Sequence, residues 1–404
     1  MRIALAAEGT RGDIYPMLTL ASACAVQGHD VVLCAPPDFR EAVTGRGLEF
    51  RSVGQDIRAY LTAEAAALHG GALAMARAAD KLFQQNVERQ FADVCRATEG
   101  CDLVLAAGTQ IAASSAAERL GIPYRFIAYD PILLPSAEHP AIFLTTCRLP
   151  RWANRLSWWI QEKLFSLGMG RKVNLERQRM GLAPVRDLYR LVLGERPILA
   201  TEERIAPAPA EFAGIDSIGC LHPFEDGALP EKLELFLADG PTPVYVGFGS
   251  MTDPQPERST SMILKAVRQA GVRTVVSEGW AGLGGVPLPS DVFVVGPVDH
   301  AALFRRVSLV IHHGGAGTTT TAARAGKPQV VVPHVLDQFH WANRMHRLGV
   351  APAGLPRRKL TAEALTDGIR AATCNEWLVD RALELGEKLR EDRSNRDSPA
   401  DIVL

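Results

Sequence analysis

Apolar residues along this 404-residue chain fall into short runs of strand length, separated by stretches with helical spacing. In the first half, RIALAAE (2–8) precedes a helical stretch from Tyr15 to Gln27, and DVVLCAP (30–36) precedes a short helix from Phe39 to Thr44. FRSVG (50–54) follows as a third strand, and an alanine-rich region from Ile57 to Thr98 predicts two helices broken near His69, Gly70 and Gly71. DLVLAAG (102–108), YRFIAYD (124–130) and PILAT (197–201) resume the strands. Strands alternating with helices in this way predict a parallel sheet. Parallel sheets carry ligands at the carboxyl ends of their strands, so the loops after residues 8, 36, 107 and 130 are expected to line one crevice.

From Pro131 to Gly181 the alternation lapses into a proline-punctuated segment that contains Trp152, Trp158 and Trp159. Aromatic residues at this density suit either an apolar pocket or ordinary core, and Trp152 and Trp158 are the candidates for the pocket. APAPAEFAG (206–214) has the composition of an interdomain linker. The alternation then restarts with DSIGC, PVYVGFGS, RTVVSEG, VFVVG, SLVIHH and QVVVP. Two more helices, Ala362 to Ala372 and Trp377 to Asp392, lead into the charged tail REDRSNRDSPAD, which is expected to be exposed. The fold class expected is α/β: two facing doubly wound, Rossmann-like domains with parallel sheets, 1–214 and 215–384, with a helix at about 385–404 packing back on the first.

Composition narrows the function. Forty-four Lys and Arg balance 45 Asp and Glu, leaving a net charge of −1, so no global field favours nucleic acid or an anionic membrane and only local patches can matter. Seven cysteines show no CxxC pair and no Cys/His ligand spacing, which suits reduced thiols in a cytoplasm and no structural metal. The first residues are too short in their apolar part, and too interrupted by Glu8, Arg11 and Asp13, to form a signal peptide. No run of about eighteen apolar residues predicts a spanning helix, so any membrane contact is peripheral. Basic residues in LPRWANRLSWW and MGRKVNLERQR suit an acidic acceptor, a membrane surface or a solvated helix face.

The densest chemistry lies in SLVIHHGGAGTTTTAARAGKP (308–328). A strand runs into a glycine-rich turn and a helix that Gly326 and Pro328 stop. Such a turn aims free backbone N–H groups, backed by the helix dipole, at a point beyond the strand. Gly314, Gly315, Gly317 and the Thr318 hydroxyl form a candidate diphosphate cradle, and His313 is a candidate donor to a phosphate oxygen. His312 alternates to the opposite face. A tight turn needs glycine with no ligand present, so these residues alone leave the steric alternative open. GTRGDI after the first strand lacks the third glycine of a dinucleotide-binding GxGxxG.

Three motifs, GTRGDIYPMLTLA (9–21), VYVGFGSM (244–251) and HHGGAGTT through DQFHWANR (312–344), resemble those of the family-one glycosyltransferases of the GT-B fold. The chain is similar to this family over essentially its whole length, and most to the bacterial branch that includes antibiotic-aglycone and sterol glycosyltransferases. The resemblance implies an N-terminal acceptor domain and a C-terminal domain for a UDP- or dTDP-sugar. It places His313, Gly315, Gly317, Thr318 and Ser250 on the diphosphate, Asp337 and Gln338 on sugar hydroxyls, and Val298 beside the base. Trp280 is the candidate to stack on that base, because the plant members' tryptophan is absent near Val295; Thr321 stands where plant members carry a ribose-binding glutamate.

The resemblance further implies inverting transfer without a metal or other cofactor, with Asp13 as general base; Arg11 and Gly12 beside it, with Trp152 and Trp158 of the aromatic segment, are the candidates to meet a hydrophobic acceptor. No histidine occurs between residues 1 and 28, so the plant members' His–Asp dyad is not available from this loop. Asp13 and Asp337 each precede a helical stretch and Ser250 follows a strand, so simple capping competes with all three roles. A natural-product aglycone such as a polyketide or macrolide is the expected acceptor, with a sterol or lipid, or a non-catalytic nucleotide-sugar-binding role, as alternatives. The protein is expected to be a monomer or homodimer.

Overall fold

A computed structural model describes residues 1–64, 72–144, 149–221 and 227–403, with side chains omitted at 72–80 and 82–85. The strands are β1 Arg2–Glu8, β2 Asp30–Ala35, β3 Glu49–Ser52, β4 Leu103–Gly108, β5 Tyr124–Ala128, β6 Ile198–Leu199 and β7 Asp216–Ser217 in the first sheet. The second holds β8 Val244–Gly247, β9 Thr274–Ser277, β10 Val292–Val295, β11 Val310–His312 and β12 Gln329–Val331. Their orders are β3-β2-β1-β4-β5-β6-β7 and β10-β9-β8-β11-β12, and all the pairings are parallel.

Each order reverses beside the strand that starts its half, β1 or β8, and a crevice opens there at the strands' carboxyl ends. Both faces of both sheets are buried, which is why these strands read as continuous apolar runs rather than as alternation. Ile3, Leu5 and Ala7 face one core of the first domain while Ala4 and Ala6 face the other. Val244, Val246, Ile311 and Val330 anchor the core of the second.

Several elements differ from their sequence expectation. DSIGC is not the first strand of the second half, because β7 pairs with β6 and closes the first sheet (Leu199↔Ser217). The first helix starts at Arg11 rather than near Tyr15, since Thr10 caps it and Pro16 is accommodated inside. The Trp-rich segment is one long helix, Arg151–Arg179. The expected break near His69, Gly70 and Gly71 lies outside the described residues.

The chain's last part divides between the domains. The helix Glu376–Ser394 packs on Ala316–Arg324 of the second domain, where Gly386 and Gly326 meet closely enough that a Cβ on Gly386 would lie 2.7 Å from the Gly326 Cα. The charged tail is not simply exposed. Arg396 bonds the buried Glu202, and in the helix Pro399–Val403 both Ala400 and Val403 enter the first domain's core beside Ile14 and Met17. Gln27 Nε2 donates to Asp401 at 2.6 Å and Arg125 to the Ile402 carbonyl at 3.2 Å.

Candidate active site

The first domain presents Asp13. Thr10 is the N-cap of the helix Arg11–Val26, and Asp13 is its third residue, not its cap. Gly12 N–H donates to the Thr10 hydroxyl at 3.2 Å, and Thr10 N–H donates to Asp13 Oδ2 at 2.7 Å, a closed capping box. Glycine is required on both sides: a Cβ on Gly9 (φ +142°) would fall 2.1 Å from Asp13 Oδ2, and one on Gly108 (φ +65°) 3.0 Å from Oδ1. The Tyr129 hydroxyl donates to the Asp13 carbonyl at 3.0 Å. Burial outweighs these hydrogen bonds and raises the Asp13 carboxyl to about 6.

The second domain presents the glycine turn. His313 follows β11 and its ring lies between two glycines: a Cβ on Gly315 would fall 2.6 Å from its Nε2, and one on Gly249 (φ +59°) 2.9 Å from its Cε1. His313 Nδ1 is buried with no protein partner. Desolvation, then the neighbouring His312, His334 and His300, hold the ring neutral by lowering its pKa well below the usual value. The helix Ala316–Arg324 starts at Gly315 with no side-chain cap, and Gly315, Ala316, Gly317 and Thr318 are part-exposed. Its first N–H groups thus have no capping side chain, which is what an anion site needs. Ser250 is buried just after β8 and Gly249. His312 serves the fold instead: its Nε2 pairs with Gln329 Oε1 at 2.8 Å and its Nδ1 accepts from Gly314 N–H at 3.0 Å.

Gly314 (φ +93°) brings the next motif against this turn, since a Cβ there would lie 3.0 Å from the Gln338 carbonyl. Asp337 begins the helix Gln338–Arg347, but its side chain makes no capping hydrogen bond. Burial, then the facing Asp13 carboxylate, raises Asp337 to about 7. Asp337 therefore faces the Asp13 carboxylate of the other domain across the crevice. The Gln338 side chain is spent on the loop before it, accepting from His334 N–H at 2.8 Å and Val335 N–H at 3.1 Å, with Nε2 3.4 Å from Met251 Sδ. Leu336 has φ +46°, the left-handed conformation that β-carbon sterics disfavour, immediately before Asp337.

The remaining sequence candidates separate. Arg11 places its guanidinium 5.8 Å from the Trp280 ring centroid, and Arg58 does so at 5.9 Å, so two first-domain cations meet one second-domain indole. Gly12 is exposed and Val298 part-buried. Trp158 is buried with Nε1 donating to the His139 carbonyl at 3.2 Å, while Trp152 is exposed on the same helix. Neither lines the cavity of about 170 Å³ between the domains, whose walls include Ile132, His139, Leu336, His340 and Arg344.

Sequence reasoning missed two buried carboxyl groups, Glu8 and Asp130, and the part-buried His340 beside the second. Glu8, at the end of β1, accepts from Asn86 Nδ2 at 2.5 Å and from Gln90, and burial raises it to about 8. Asp130, after β5, keeps Oδ2 unpaired; burial, then Asp337, raises its pKa. His340 Nε2 lies 3.9 Å from Asp130 Oδ1, and desolvation lowers the ring to about 3, so the two form no ion pair. The one available signal was position, since Glu8 ends strand β1 and Asp130 follows the end of β5 by two residues. Among the described residues no cluster of three or more His, Cys, Asp or Glu forms a metal site, and no helix is long and apolar enough to cross a membrane.

Two parallel-sheet domains with this crevice between them define a GT-B fold. The glycosyltransferase VinC, solved in complex with dTDP, superposes with a TM-score of 0.70 over 100% of this chain and 98% of that one, at 21% identity. Residues 3–130 match the glycosyltransferase family 28 N-terminal domain, and residues 272–404 the erythromycin biosynthesis protein CIII-like C-terminal domain. The chain is 34% identical to the glycosyltransferase GtfC of Amycolatopsis orientalis, covering 97% of this chain and 95% of that one. It is 35% identical to the vancomycin aglycone glucosyltransferase of the same organism, over 87% and 86% of the two chains. The chain belongs to this family of GT-B glycosyltransferases and is a glycosyltransferase.

Proposed function

We propose that this enzyme transfers a sugar, with inversion, from a UDP- or dTDP-linked donor to a hydroxyl of an apolar natural-product aglycone. The observation that carries the proposal is the pairing of Asp13 from one domain with Asp337, beside the glycine turn, from the other. In this reading the diphosphate rests on the N–H groups of Gly315, Gly317 and Thr318, with His313 and Ser250 beside it, and Asp337 accepts hydrogen bonds from sugar hydroxyls. Relatives whose names specify an antibiotic aglycone and a neighbour holding dTDP support the two substrate classes.

Asp13 Oδ2 is held by Thr10, which leaves Oδ1 to accept the acceptor's proton. The freed oxygen attacks the anomeric carbon as the bond to the diphosphate breaks, and that electron pair leaves on the diphosphate. The helix N-terminus and the neutral His313 stabilise the charge that develops there, so no metal is needed in this scheme. Purified enzyme with EDTA, dTDP- and UDP-glucose and a panel of apolar acceptors tests it by mass spectrometry, with product configuration read by NMR. Transfer with inverted configuration supports the proposal. A retained configuration or an absolute requirement for metal overturns the scheme.

A further inference from the structure

The helix Arg151–Arg179 is apolar on two opposite faces in its first half. One face is core: Trp158 and Met169 are buried there. The other is a broad stripe, in which Trp152 is 70% exposed, Leu156 47%, Trp159 56%, Leu164 60% and Leu167 78%. From Trp152 to Leu167 the stripe runs about 22 Å at the usual helical rise. Isolated exposed apolar residues are ordinary, but a group of large ones on one side of a helix marks an interaction site. Among the described residues nothing covers this one.

Charge identifies what does. At about 100° per residue Lys163 falls within the stripe and Arg171 on its continuation, Arg155 flanks it, all three are exposed, and the single acid of residues 151–175 is Glu162. Exposed tryptophans and leucines interleaved with arginine and lysine make a surface that inserts at a lipid headgroup boundary while its cations meet anionic lipid. Self-association through this face would set the same cations of two copies against each other, which a twofold interface does not favour. We infer that the enzyme docks reversibly on anionic membrane surfaces through the Trp152–Leu167 face of this helix. This inference is independent of the donor and the acceptor.

Co-sedimentation of the full chain with phosphatidylcholine vesicles, or with an equal mixture of phosphatidylcholine and phosphatidylglycerol, tests it without an activity assay. The expected result is at least tenfold stronger binding to the mixed vesicles, falling as salt rises. The paired substitution Trp159→Glu and Leu167→Glu falls on the exposed stripe; it should leave the melting temperature within a few degrees and weaken the binding at least tenfold. Lys163→Glu alone should weaken it and reduce the salt dependence. Absence of binding to the anionic vesicles at low salt overturns the inference, as does binding unchanged by the paired substitution. A dimer in light scattering that the paired substitution converts to monomer assigns the face to a second copy and likewise overturns it.

Discussion

Asp13 Oδ2 accepts a 2.7 Å hydrogen bond from the backbone N–H of Thr10, so one carboxylate both closes the first turn of its helix and faces the opposite domain. These two jobs separate by substitution. Asparagine keeps an acceptor for Thr10 but cannot take a proton, so Asp13→Asn is expected to keep the wild-type melting temperature within a few degrees. Turnover should fall about 10²–10⁴-fold, the usual range for losing a general base. Asp13→Ala should lose the turnover and, with it, about 1 kcal/mol of capping stability. Steady-state kinetics beside thermal denaturation checks both, and near-normal turnover in a folded Asp13→Asn protein would remove Asp13 from the mechanism.

The same carboxylate sets an acid limb. Burial raises Asp13 to about 6, and only the ionised form can act as a base. Activity therefore requires pH above that value. The ratio kcat/KM is expected to fall about tenfold per pH unit below about 6, the behaviour of a single essential base. A profile flat from pH 8 down to 5 would contradict the assignment.

Asp337 carries a stability consequence of the opposite sign to most aspartates. Its pKa is raised from 3.8 to about 7, so the folded state holds the proton more tightly than the unfolded chain does. The stability this gives is complete below about 4 and is lost as pH rises through 7. Asp337→Asn cannot ionise, and its melting temperature is expected to exceed the wild type's at pH 8 and to match it near pH 4. Its transfer rate should drop at both. Calorimetric scans at the two pH values distinguish this from a general change in packing.

The glycines around His313 are expected to be intolerant of a single methyl group. A Cβ on Gly315 would lie 2.6 Å from His313 Nε2, and a Cβ on Gly249 would add the strain of φ +59°. Gly315→Ala and Gly249→Ala should displace the ring and weaken dTDP or UDP binding tenfold or more in titration calorimetry. Gly285, with open space around its Cβ position, is the control whose alanine variant leaves binding unchanged.

Glu202 ties three parts of the chain together. It is 1% exposed and accepts from Arg324 of the second domain and Arg396 of the tail. Removing one member of a buried charge network leaves its partners uncompensated, so Glu202→Ala is expected to cost about 3–5 kcal/mol in chemical denaturation. Deleting residues 396–404 should destabilise the first domain as well, since Ala400 and Val403 lie in its core.

The sequence by itself determined the alternation, because strands buried on both faces must be apolar throughout and the helices between them must not be. It determined the glycine turn for a similar reason: only glycine permits the backbone of residues 314 and 315 to approach Gln338 and His313 so closely. Local chemistry of this kind is legible one residue at a time. Tertiary packing decided the rest. β7 could join either sheet on its composition, and pairing with β6 placed it in the first. Trp152 and Trp158 look alike in the sequence, yet their different sides of one helix put one in solvent and the other in core. The hydrogen bonds that the Gln338 amide oxygen takes from the preceding loop were likewise visible only in the fold. Above all, Asp13 and Asp337 are separated by most of the chain. Only the closing of two domains brings their carboxylates near enough for one to raise the other's pKa.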